Sequence, residues 1–180
     1  MFALVRTFWE VTMELEMHPH QWERSKPDWA SALVAGLVAG AVLMVLDLLW
    51  TSVMASGATW RSSHLVAAIV LGPETATGSG FSLGVVATAL ITHYLLGIVF
   101  ACVLAYIVAG FHYERSGPMI ETIGAAFGVG VYLISMYGWA LVFPWIAELR
   151  GWGTFIGHIA FGLVAAMTYW KLVQGKQAEG

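Results

Sequence analysis

WASALVAGLVAGAVLMVLDLLWTSVMA, residues 29 to 55, decides the fold. Its one charged side chain is Asp47, and neither proline nor a polar cluster interrupts it. A helix crossing a hydrocarbon core of about 30 Å needs about 20 apolar residues, and this run exceeds that. Three more runs of the same kind follow, over about Val85–Ala109, Met119–Ile146 and Trp152–Leu172. The expected fold is therefore all-α: a polytopic membrane protein with four transmembrane helices. Composition agrees, because 59% of the 180 residues are hydrophobic, 11% are charged and the mean hydropathy is +0.76. No length remains for a separate soluble domain.

Outward from these runs, residues 1–28 read as an N-terminal amphipathic helix and its linker. Phe2, Leu4, Val5, Phe8, Trp9, Val11, Met13 and Leu15 cover one broad face, with Arg6, Glu10 and Glu14 opposite. The acidic interruptions argue against a signal peptide. A net acidic face suits a protein partner better than anionic lipid. Asp28 stands where an N-cap belongs. The bundle occupies residues 29–172, and residues 173–180 form a polar tail. Trp29, Trp145, Trp152, Tyr169 and Trp170 fall near the ends of the runs, where amphipathic rings favour the headgroup zone.

Basic residues set the orientation. Arg6, Arg24, Lys26, Arg115, Lys171 and Lys176 lie on one side of the runs, Arg61 and Arg150 on the other, which places both termini in the cytoplasm. The absence of Asn and the scarcity of Lys point to a GC-rich bacterial source, so the expected location is a bacterial inner membrane. The longer exterior connection contains Arg61 to Leu71 followed by Gly72-Pro73-Glu74. Its apolar middle is too short to cross and is closed by Gly-Pro, so it reads as an interfacial or re-entrant half-helix. Pro144 should bend or end the third helix.

Gly36 and Gly40 in the first helix, and Gly124 and Gly128 in the third, form two G-x-x-x-G patterns suited to close helix packing. His93, Gly97 and Ala101 in the second helix repeat the spacing of His158, Gly162 and Ala166 in the fourth. This pattern suggests a tandem repeat of two helix hairpins, with the long exterior segment inserted only in the first.

At 1.5 Å per residue, Asp47 lies about 12 Å below the exterior end of its helix, and His93 and His158 about 10 Å below theirs. These three form a buried polar layer. Asp47 shares the small-residue face of its helix, and a carboxylate at such depth needs a partner or water. Three readings compete: an Asp47–His hydrogen bond that locks packing, a haem b held by His93 and His158, or a proton or ion relay. His18, His20 and Glu23 offer metal-ligand types, but a polar linker explains them as well. His64 reads as a cap or surface residue, and Glu121 as a first-turn carboxylate favoured by the helix dipole.

Cys102 is the only cysteine and can form no internal disulfide. A net charge of −3 provides no basic patch, so nucleic acid is not an expected partner. No G-x-S-x-G, H-E-x-x-H or P-loop pattern is present. No catalytic residue or metal site is assigned, and bound lipids are expected. The favoured function is a non-catalytic accessory or structural subunit of a larger membrane complex, respiratory or redox in setting, in contact with other integral membrane subunits. The alternatives are a bis-histidine haem b electron-transfer protein and a small oligomeric transporter or proton conductor.

The run Leu65 to Glu74 behind a polytopic first helix resembles a group of small bacterial four-helix membrane proteins of unknown function. Some of these carry a sodium:proline symporter label. The resemblance spans about Trp29 to Leu172 and implies the same layout, without an established activity. A secondary transporter normally uses two repeated bundles around a midplane site, more than four helices supply alone.

Overall fold

The computed structural model describes residues 26–54, 59–110 and 117–179. The N-terminal amphipathic segment, with His18, His20 and Glu23, lies outside the described residues. Four long helices dominate: α1 (Trp29–Met54), α3 (Leu83–Gly110), α4 (Gly117–Leu133) and α5 (Trp152–Glu179). The short α2 (Arg61–Leu71) stands between α1 and α3. α1, α3 and α5 are each long and apolar enough to cross a membrane, as is α4 with the turns that extend it to Leu141. The chain is an all-α polytopic protein.

Inside and outside follow side-chain size. Ala32, Ala35, Gly36, Ala39 and Gly40 are buried, while Leu33, Val34, Leu37 and Val38 on the same helix are exposed. In water this would be inverted. Against acyl chains the large apolar groups lose nothing by facing out, and the small residues let backbones come close. α5 packs along both α1 and α4, α1 packs along α3, and α3 and α4 barely touch.

The glycines make these crossings possible. A Cβ on Gly36 would stand 2.7 Å from Ile98 Cα and 2.9 Å from Gly97 O. A Cβ on Gly124 would meet Leu163 Cα at 3.1 Å and Gly162 O at 2.8 Å. Ala101 and Ala166 complete the two sets at equivalent places. Gly40 faces His93 and Tyr94, as Gly128 faces His158 and Ile159. Both crossings thus close on glycine, but Gly40 meets the side chains of Tyr94 and His93 whereas Gly128 meets the backbone of His158 and Ile159.

At the end carrying the termini, Asp28 caps α1: Ser31 N–H donates to its Oδ1 at 2.9 Å. Lys176 Nζ reaches its other oxygen at 2.5 Å, and the Asp28 N–H donates to Tyr169 OH at 3.2 Å. Tyr169 is therefore a core residue, not an interfacial one, with a hydroxyl that can satisfy backbone at the helix entry. α5 continues to Glu179, beyond the expected end at Leu172, so the polar tail 173–179 is helical, and Lys176 in it closes onto α1. Glu121 is exposed in the first turns of α4.

At the opposite end, the third run departs from the expected continuous helix to Ile146. α4 passes into a π-helical stretch at Ile134–Gly138 and a 3-10 turn at Trp139–Leu141. A second 3-10 helix then starts at Pro144 and ends at Leu149. Proline, lacking an N–H and fixed in φ, suits such a first position. α2 ends where Gly72 adopts φ 99°, a left-handed conformation open to glycine, and its N–H returns to Ala68 O at 3.0 Å.

Two stability outcomes follow. Gly162→Ala should lower the thermal midpoint in mild detergent, by an overpacking cost of about 1–3 kcal/mol, because its Cβ would fall 2.8 Å from Gly128 Cα. Gly130→Ala meets nothing within 4 Å and should leave the midpoint unchanged. The Lys176 ammonium, then the Ser31 N–H, hold the Asp28 carboxyl below the usual carboxylate range. A lowered folded pKa gives stability that is complete above the unfolded value near 3.9 and is lost as pH falls through the lower folded one. Acid unfolding of Asp28→Asn compared with wild type should show the difference at neutral pH and its loss in that acid window.

Candidate functional site

A cavity of about 370 Å³ occupies the α2 end of the bundle. α1 contributes Leu43 and Asp47, α3 contributes His93 and Phe100, the turns that follow α4 contribute Ser135 and Trp139, and α5 contributes Thr154 and His158. Asp47, His93 and His158 therefore do surround one space. The 3.6-residue repeat puts Asp47 on the same side of α1 as Gly36 and Gly40, so the close crossings that bury the glycines turn the carboxylate inward.

The expected Asp47–His hydrogen bond is not how these groups are held. Asp47 Oδ2 accepts from Ser62 Oγ of α2 at 2.8 Å. His93 Nε2 donates to Gly40 O at 2.9 Å, beside the Tyr94 ring that occupies the gap the glycine leaves on α1. His158 Nδ1 donates to Thr154 O, one turn back on its own helix, at 2.7 Å. Each ring thus spends its donor on a backbone carbonyl, so the carboxylate turns to the nearest hydroxyl.

That geometry bears on the haem reading. His158, with Nδ1 engaged, has an Nε2 that no described residue hydrogen-bonds. His93 has Nε2 on Gly40 O, so the nitrogen that would reach an iron is occupied. The residues present do not offer the paired Nε2 atoms of a bis-histidine site. Among the described residues no group of three or more His, Cys, Asp or Glu side chains is placed to hold a metal ion.

Polar anchors fasten a roof over the cavity. Arg61, at the start of α2, donates through Nη1 to Ala76 O and to Gly78 O, the latter at 3.0 Å, and through Nη2 to Glu148 Oε2 at 2.7 Å. Trp145 Nε1 donates to Leu65 O at 3.1 Å, binding the Pro144–Leu149 turn to α2. Arg150 Nε donates to Met136 O at 2.9 Å, and its guanidinium lies 4.3 Å from the centre of the Tyr137 ring. It thereby satisfies a carbonyl where the π-helical turn loosens the ladder. Trp145 is a roof residue rather than a headgroup anchor. His64, expected at the surface, is buried with Nδ1 on Trp60 O and its ring against Gly78.

The sequence spacing did not single out Ser62 and Ser135. Ser135 had a signal, because the offset that carries Gly36 to Gly124 and Gly40 to Gly128 carries Asp47 to Ser135. The two halves thus place an acid and a hydroxyl at equivalent points of one cavity. Ser62 had none, since its partner is set by how α2 folds back.

Comparison with protein-family models, with curated proteins and with solved structures found no match. The class is therefore defined by fold and cavity: an all-α polytopic protein of four long apolar helices, roofed at one end by a short helix over a polar-tipped chamber.

Ser62→Ala should destabilise the chain by about 1–3 kcal/mol, because it strips a part-buried carboxylate of its donor. A double-mutant cycle with Asp47→Asn, read by thermal unfolding in detergent, should give a coupling of at least about 0.5 kcal/mol. Strict additivity would show that the Ser62–Asp47 contact contributes nothing.

Proposed function

We propose that the protein is a non-catalytic membrane component whose working part is this cavity, which takes a small, largely apolar molecule from the bilayer and holds it beneath α2. One observation carries the reading: a roofed chamber whose apolar walls, among them Leu43, Leu90, Phe100, Val131 and Phe161, surround only a few polar groups. Ligand sites have this balance, with apolar surface for affinity and sparse polar groups for orientation. The slight contact between α3 and α4, both of which line the chamber, supports entry from the side.

The proposed setting is a bacterial inner membrane with both termini cytoplasmic. Lys26, Lys171 and Lys176 stand at the termini end of the described helices, against Arg61 and Arg150 at the α2 end. A held ligand is also what an accessory subunit would bring to an assembly with other integral membrane subunits, so the accessory role stays within the proposal.

Ala89 lines the chamber and is 7% exposed, so Ala89→Phe should fill it. Solvent extraction of the purified protein followed by mass spectrometry should return a small molecule near one per chain from wild type, depleted at least about tenfold in Ala89→Phe. Identical extracts from the two folded proteins would overturn the reading.

A further inference from the structure

Resting on the reading of the chamber as a binding site, we propose that its ligand is a hydrophobic cation, a protonated amine on a compact apolar body, with Asp47 as its counter-ion. In its neutral form an imidazole has one donor and one acceptor. A backbone carbonyl can only accept, so His93 spends its N–H on Gly40 O and His158 spends its N–H on Thr154 O. What remains on each ring is a lone pair, on Nδ1 of His93 and on Nε2 of His158.

Asp47 adds a carboxylate whose Oδ2 is met by Ser62 and whose Oδ1 receives no hydrogen bond from any described residue. Among the described residues no lysine or arginine lines the chamber. Arg61 and Arg150, the described cations at the α2 end, are engaged by Ala76, Gly78, Glu148 and Met136. The chamber thus presents lone pairs and a carboxylate whose neighbouring donors, the hydroxyls of Ser62, Ser63, Ser135 and Thr154 and the indoles of Trp60 and Trp139, are all neutral.

A ligand that completes this set must bring N–H or O–H groups and gains most if it is positively charged. The walls favour the same choice. Trp60, Trp139, Phe100 and Phe161 line the chamber, and the faces of such rings attract cations. A metal ion would need several oxygen ligands closing on one point, whereas here one carboxylate stands among apolar and aromatic groups. An ammonium with a hydrocarbon body uses both parts of the wall.

The test is the intact protein in lipid nanodiscs with three probes that share one cage: 1-adamantanamine, 1-adamantanol and 1-adamantanecarboxylate at pH 7. Calorimetry should rank the amine at least about tenfold tighter than the alcohol, and the carboxylate weakest, as a charge-assisted hydrogen bond implies. Asp47→Asn, if it retains its thermal transition, should bring amine and alcohol to equal affinity. The ranking on the wild-type chain decides the matter without the variant.

Alcohol or carboxylate binding as tightly as the amine would overturn the cation proposal and leave the binding chamber standing. A neutral or acidic compound in the extract that Ala89→Phe depletes would do the same. Failure of all three probes would overturn the chamber reading with it. Saturable heat from sodium chloride alone, abolished in Asp47→Asn, would replace the amine by an inorganic cation and overturn the proposal.

Discussion

Backbone-to-backbone approach at glycine is the constraint on which the rest of this structure depends. In a bilayer, burying large side chains between helices gains little over leaving them against acyl chains, so association relies on close packing and on the few polar contacts available. Gly36 against Gly97, and Gly124 against Gly162, bring helix axes near enough for carbonyls to face the neighbouring Cα atoms. Ala32, Ala35, Ala39, Ala105, Ala165 and Ala166 continue the same thin seam. Once these lines of small residues are in contact, the facing of everything above and below them on each helix is set. Asp47 is inside because Gly36 and Gly40 are inside.

The two hairpins use the same seam, yet they do not close on each other symmetrically. A two-fold relation would make the α3–α4 contact match the α1–α5 contact, but α1 and α5 pack along much of their length while α3 and α4 barely meet. The inserted segment is where the halves differ most. α2 packs against α3, and the Pro144–Leu149 turn joins it through Trp145. Together these pieces cover an end of the bundle that four helices alone would leave open. The chamber is thus a product of broken symmetry, with equivalent positions supplying Asp47 from one half and Ser135 from the other.

Much of the fold was legible because its causes are local. Helix length against bilayer thickness gave the four runs, and four-residue intervals of glycine and alanine gave the small-residue seams. Asp28 as a cap and Gly72-Pro73 as a stop are also short-range chemistry, and both stand as expected. What sequence spacing could not supply was long-range. Tyr169 was read as interfacial because an amphipathic ring near a helix end usually is, but here Asp28 offers it a backbone partner across the bundle. The layer of Asp47, His93 and His158 was legible as a depth, since rise per residue is constant. Its hydrogen bonds were not, because Ser62 approaches only through the return of α2, and the carbonyls of Gly40 and Thr154 are present at every such position in any helix.

The roof and the layer are one system. Ser62 belongs to α2 and Asp47 to α1, so their hydrogen bond joins the cover to the floor of the chamber. Arg61, the neighbour of Ser62, holds the far side of the cover to Glu148. The outer contact is an ion pair between partly exposed groups and therefore weak and salt-sensitive. The inner one is a hydrogen bond to a carboxylate away from bulk water, and stronger for that reason. A positive charge arriving at Asp47 would meet the open Oδ1 and leave the Ser62 hydroxyl on Oδ2 in place. One carboxylate thus faces both ways, with Oδ2 tied to the cover and Oδ1 turned to the chamber, so the hydrogen bond that holds α2 also orients the charge beneath it.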